Sequence, residues 1–327
     1  MTGKELKLKF NYIRRAVLFS FLCFLITLSS LAGGRSVYSF IHNDASARMA
    51  GIGGSAVAMR HDPSLIFYNP AGLYGLQSPQ ASISYMRHIV DIHSGFISYA
   101  QSVKDYGWFG AGIAYVDYGS QTHVDHLENI IGSFHPADLA FVLSYSNSIF
   151  DENFSFGLST KFFYSSFTPE AISTGIALDI GMQYYLPQQD LTIGASILNA
   201  GRQITAYENT RESLPIDLKI GVSKGLEHLP LVLNINFHHL NDDAGGTFDR
   251  LRGFTVGGEF TVTDAVQLRF GYRNEMRQDL QIGSTIGLAG FSAGVGIHIQ
   301  NYNFDYGFTS LGKIGSLHHI TLQYSFQ

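Results

Sequence analysis

Histidines stand close together, once with a carboxylate, in three places where this chain could do chemistry. His123, Asp125 and His126 offer metal-ligating types at short spacing. No helical period fixes them and no further ligand stands beside them, so they read as a solvated polar loop rather than a zinc site. His238-His239 and His318-His319 are adjacent pairs. Neighbours on an extended strand point to opposite faces, so neither pair is expected to pinch an ion, and each reads as a rim and a lumen residue. The glycine runs Gly51-Ile52-Gly53-Gly54, Gly110-Ala111-Gly112 and Gly294-Val295-Gly296 do not stand between a parallel strand and a helix, as a nucleotide-binding turn would. The two Gly-x-Ser-x-Gly runs, Gly221–Gly225 and Gly290–Gly294, lie inside strand-like alternating segments rather than at a strand-to-helix turn, so neither is a nucleophile elbow. The sequence therefore predicts no catalytic residue, no metal, no cofactor and no enzymatic activity.

A second set of charged residues has a regular setting. Lys161, Asp179, Asp217, Lys219, Glu259, Arg269, Arg273 and Asp305 each lie in a segment whose alternate positions are apolar. Ile216, Leu218, Ile220 and Val222, for example, alternate with Asp217, Lys219, Gly221 and Ser223. Charges on the polar face of such strands, if enclosed, must pair with one another or with an inner segment, for example through Arg48 or Asp62, because an unpaired buried charge is costly. A charge-selective permeation path is the competing use of the same residues.

The elements that would hold these residues are strands with a period of two. Ile320, Leu322, Tyr324 and Phe326 alternate with polar residues, and so do Val266, Leu268, Phe270 and Tyr272. Strands are expected near 79–90, 92–103, 107–119, 136–149, 153–167, 172–187, 190–199, 215–225, 229–241, 251–262, 265–274, 287–299, 301–309 and 316–326, fourteen in all. Short connections alternate with longer ones, near 120–135, 200–214, 242–250, 275–286 and 310–315. Only 14% of the residues are charged, against roughly 25% in a soluble domain. An apolar face that recurs on every strand, an even strand count and this scarcity of charge together predict an all-β, transmembrane antiparallel barrel in an outer membrane, with lipid outside and a polar lumen. Tyrosines near strand ends, including Tyr85, Tyr115, Tyr164 and Tyr272, suit the two lipid interfaces.

Residues 1–34 read as a secretory signal. Lys4, Lys7, Lys9, Arg14 and Arg15 precede the apolar run Ala16–Leu31, and Ala32-Gly33-Gly34 offers a cleavage site. Cys23 lies in that run behind the bulky Leu22, which argues against lipidation, so cleavage would leave a chain without thiols. No basic stripe points to nucleic acid. Residues 79–327 form the barrel in this reading, and residues 35–78 a compact hatch inside it. Small residues and glycines, Gly53 and Gly54 among them, permit close backbone approach there. Asn69-Pro70 commits the chain to a turn or kink.

The run Ser46–Gly54 followed by Asp62–Leu73, ending Asn69-Pro70-Ala71-Gly72-Leu73, resembles the N-terminal hatch of the FadL-like outer-membrane barrels, and most closely the PorV/PorQ family of type IX secretion components. Phe304-Asp305-Tyr306-Gly307-Phe308 adds to the likeness, and the Gly34–Phe40 start leans toward PorQ. The resemblance implies a fourteen-stranded barrel with a hatch. It also implies a non-enzymatic role in secretion and surface attachment, with other type IX outer-membrane and surface proteins, or cargo C-terminal signal domains, as partners. The other role open to such a barrel is FadL-like transport of hydrophobic small molecules, for which an apolar pocket beside the hatch and a lateral opening would be expected.

Overall fold

The computed structural model describes residues 37–124, 127, 129–168, 170–208, 210–241, 250–280 and 287–327. The expected signal, and Asp125 and His126 of the histidine-bearing loop, lie outside the described residues.

Fourteen strands of the described residues close an antiparallel barrel. They are β1 (Gln80–Arg87), β2 (His93–Val103), β3 (Gly107–Asp117), β6 (Ala137–Ile149), β7 (Asp151–Ser166), β8 (Ile172–Leu186) and β9 (Leu191–Thr205), then β10 (Asp217–Gly225), β11 (Leu231–Phe237), β12 (Phe254–Thr263), β13 (Val266–Arg273), β14 (Phe291–Ile299), β15 (Tyr302–Ser310) and β16 (Ser316–Ser325). Closure comes from β1 against β16, where Ile83 faces Leu322 and Tyr85 faces Ile320. A closed ladder satisfies every strand edge, which a hydrocarbon surround demands.

The alternation read from the sequence appears directly in exposure. On β16, Ile320 is 58% exposed between His319 at 1% and Thr321 at 2%. On β8, Leu178 stands out at 61% while Asp179 is buried at 1%. The exposed row is the lipid face. Among the described residues no helix is long and apolar enough to cross a membrane, and the strands do the crossing.

Two features depart from the expected elements. The 120–135 connection carries a hairpin, β4 (Gln121–Val124) paired with β5 (Ile130–Phe134), that stands apart from the barrel sheet. Strand β9 also runs on to Thr205 rather than ending at 199. Its extension, Ala200-Gly201-Arg202-Gln203, lacks an apolar row because it has left the lipid zone, so periodicity could not mark it.

Residues 37–78 pack on the inner faces of the strands, and their turns follow from capping residues. Helix α1 (Ala47–Gly51) is capped by Ser46, whose side chain accepts from the Met49 amide. Two 3-10 turns, Pro63–Phe67 and Pro70–Gly75, each begin with a proline behind an acceptor. Asp62 takes the Ser64 amide at 2.9 Å and Asn69 takes the Ala71 amide at 3.1 Å.

Candidate functional site in the barrel lumen

The lumen is shaped around this inner segment by glycines. A Cβ at Gly181 would strike the Asn69 side chain, one at Gly194 the Val57 carbonyl, and one at Gly257 the Ile52 carbonyl. Missing side chains on these strands are what let the inner backbone come so close. Asn69 then acts as a rivet. Its amide donates to the Val57 carbonyl at 2.7 Å and also reaches the wall carbonyls of Met182 and Ala195. Pro70 lies buried beside it, while Gly53 and Gly54 take left-handed backbone, φ +68° and +74°, under β13.

The inward charges form a connected network with the inner segment. Arg48 donates to both oxygens of Glu259 at 2.8 Å and to Asp62 at 3.3 Å. Arg269 bridges Glu259 at 2.9 Å and Asp305 at 2.5 Å. Arg273 holds Asp44 with two contacts of 3.0 Å. On the other side of the lumen Lys161 pairs with Asp179 at 2.8 Å and donates to Asn199 at 2.7 Å. Lys219 pairs with Asp217 at 3.0 Å. Asp44 and Asn199 were not singled out from the sequence, because nothing in their neighbours marks them as partners.

Above the charge network the lumen changes character. Phe96, Ala114, Val116, Ala140, Phe163 and Ala177 point inward near the ends of β2, β3, β6, β7 and β8 that carry the longer connections, the external side. Leu214 joins them. This apolar chamber is filled by Val37, Tyr38 and Phe40 of the inner segment. Tyr38 stacks on Phe163 with ring centroids 4.9 Å apart, and Phe40 meets the same ring edge-on at 6.5 Å. The Tyr38 hydroxyl reaches Ser173 at 2.6 Å. Tyr38 takes φ +60°, a left-handed conformation unusual for a bulky residue and costing on the order of 1–3 kcal/mol.

Two polar cavities flank the inner segment. One of about 300 Å³ lies toward the short turns and is lined by Arg48, His61, Asp264, Arg269 and Asp305 among others. One of about 100 Å³ lies toward the external mouth, lined by His42, Asp217, His238, His239, Arg273 and Glu275 among others. The adjacent histidines at the second cavity correct the sequence reading, which sent them to opposite faces. His239 has φ +54°, and the ladder that pairs Ile220 with Phe237 resumes with the Leu240 amide on the Leu218 carbonyl. One residue has been inserted, a bulge that breaks alternation. Both imidazoles consequently reach Glu275, His239 at 2.9 Å and His238 at 3.2 Å. Burial drives the His238 imidazole down to about 3. Burial also opposes a charge on His239, but the hydrogen bond to Glu275 and the carboxylates of Asp217 and Glu275 outweigh it and push it up to about 9. The other pair stays split as expected on β16, His319 buried and His318 toward the outer face, bonded to Tyr306 at 2.7 Å.

No protein-family model and no curated protein sequence matches the chain. Solved structures match its fold. The toluene transporter TbuX of Ralstonia pickettii superposes with a TM-score of 0.53 at 13% identity, over 86% of this chain and 98% of that one. The toluene transporter TodX of P. putida gives 0.57 at 11% identity, over 86% and 98%. CymD, a monoaromatic hydrocarbon channel, gives 0.56 at 13%, again over 86% and 98%. The chain is a closed fourteen-stranded β-barrel with an apolar outer row, and its fold is that of these hydrocarbon transporters and channels. The matched proteins are transporters and channels rather than enzymes.

Proposed function

We propose that this protein is a FadL-like outer-membrane channel for a small hydrophobic molecule, with residues 37–78 as the hatch that gates it. The observation that carries this reading is the apolar chamber around Phe163, set in the external half of a lumen that is otherwise polar. A lumen that only held water and a plug would not need it. Tyr38 and Phe40 occupy the chamber as a ligand would, and the left-handed backbone at Tyr38 lowers the cost of displacing them. A hydrophobic molecule entering from outside competes with these two rings. Passage onward requires the contacts of Arg48 and Arg273 to shift, since they tie the hatch to β12 and β13 between the two cavities. The fold likeness to toluene transporters agrees with this reading and supplies a first substrate class to try, monoaromatic hydrocarbons. The test is uptake of dilute labelled toluene by outer-membrane-intact cells with and without the protein. Uptake that depends on the protein and falls with Phe163→Arg supports the reading, and equal uptake in both strains overturns it.

A second reading has one specific observation in its favour. The β4–β5 hairpin stands off the barrel and exposes Val124, Ile130 and Ile131, the last two at 75% and 58%. An apolar tip on an external loop suits a protein partner, as the resemblance to type IX secretion components would require. Deleting residues 121–134 would then abolish co-purification of surface proteins while leaving small-molecule uptake intact.

A further inference from the structure

The bulge at His238-His239 assembles more than a salt bridge. His238 Nδ1 and His239 Nδ1 lie 3.4 Å apart, and they face the two oxygens of the Glu275 carboxylate, Oε2 at 3.2 Å and Oε1 at 2.9 Å. Ligand atoms bound at about 2.0–2.1 Å to a tetrahedral ion stand roughly 3.3–3.4 Å from one another; the two imidazole nitrogens already have that spacing, and a ligand atom of Glu275 lies within 4.8 Å of both. The three side chains come from two places in the chain: the two imidazoles from the residues just after β11, and Glu275 from α2 (Asn274–Asp279), which follows β13. Two side chains that strand geometry would send apart converge only through a left-handed histidine, a conformation costing on the order of 1–3 kcal/mol.

The surroundings fit a metal as well. Behind His239, its Nε2 faces Asp217 Oδ2 at 3.5 Å, and the His239 amide donates to the other oxygen of the same carboxylate at 2.8 Å. A carboxylate behind a liganding imidazole is the usual device that orients such a ligand. Lys219 holds Asp217 at 3.0 Å and leaves it to act as this outer partner rather than as a ligand. His238 is buried, 8% exposed, and its Nε2 has no hydrogen-bond partner. On the open side lies the external cavity of about 100 Å³, with room for a fourth ligand such as water. His42 of the inner segment stacks edge-on against His239 at 5.4 Å, which places the ion beside the hatch.

We infer that His238, His239 and Glu275 bind one divalent transition-metal ion of the zinc type at the external mouth of the barrel. Two imidazoles and one carboxylate with an open fourth position form a His2Glu donor set that zinc accepts. The site ties β11 to the connection after β13, next to His42, so the ion braces the rim where the hatch begins.

The test uses the untagged full-length barrel in detergent, stripped with chelator and titrated with Zn2+ by calorimetry and with Co2+ by visible absorption. One equivalent is expected to bind, and Co2+ is expected to give the intense bands of a tetrahedral site. Glu275→Gln and His239→Gln should each weaken binding about tenfold or more, while His123→Gln in the β4–β5 hairpin should leave it unchanged. Glu275 lies outside the barrel strands, and heat-modifiable gel migration verifies that its variant remains folded. No saturable binding by the parent, binding indifferent to Glu275→Gln in folded protein, or equal loss with His123→Gln would each overturn the assignment.

Discussion

Glu259→Gln tests how the hatch is held. Glu259 is buried at 5% exposure and accepts from Arg48 twice at 2.8 Å and from Arg269 at 2.9 Å. The amide keeps the size and shape but removes the negative charge, and its NH2 end cannot accept, so one or two of the three guanidinium bonds are lost. Charge-assisted bonds are worth about 1.5–3 kcal/mol each, so losing one or two of them costs on the order of 3 kcal/mol. Breaking a buried ion pair by removing one partner costs about 3–5 kcal/mol, which brackets the same figure. Asp62 and Asp305 still balance the two guanidiniums, which places the expectation at the lower end. Denaturant unfolding from lipid vesicles of Glu259→Gln, Arg48→Met and the double variant would measure it. The double variant should lose about 2 kcal/mol less than the sum of the singles, because Arg48 no longer sits unpaired. Strict additivity within about 0.5 kcal/mol would refute the claim that these residues form one latch between hatch and wall.

Gly181→Val places atoms where the Asn69 side chain sits, so the hatch must leave its seat; limited proteolysis should then cut residues 37–78 in a barrel that still runs as folded on an unheated gel. Asn69→Ala removes a turn cap and a donor to three carbonyls, and should cost about 2–3 kcal/mol in the same unfolding assay. Phe163→Ala empties the centre of the chamber, for which about 3–5 kcal/mol is expected, falling toward the low end if a hydrophobic ligand is supplied during refolding.

The wall of this protein was open to reading because lipid imposes a strict period of two, and Ile320, Leu178 and their neighbours obey it. The inward charges were legible for the same reason, since Lys161, Asp179, Asp217, Lys219, Glu259, Arg269, Arg273 and Asp305 fall on the complementary phase. Their partners were less so. Asp44 meets Arg273 across a separation of 229 residues, a distance no local pattern encodes. The turns of residues 37–78 could have been read further: Ser46, Asp62 and Asn69 each stand where a cap is needed, two of them before proline. The failure at His238-His239 has a single cause, one inserted residue with φ +54°. Alternation predicts faces only while the ladder is regular. The apolar chamber escaped notice because Phe96, Val116 and Phe163 lie on the phase assigned to polar residues, on separate strands that meet only after closure.

Equilibrium binding of fluorobenzene to the purified barrel, followed by 19F NMR, tests the central claim most directly. If Tyr38 and Phe40 are internal occupants of a ligand chamber, the parent should bind weakly but saturably. Tyr38→Ala/Phe40→Ala should bind more tightly, since vacating two rings leaves apolar space of the kind that takes up benzene, and Phe163→Arg should abolish binding in both backgrounds. Equal, non-saturable partitioning of fluorobenzene into all the variants and the detergent alone would contradict the channel reading.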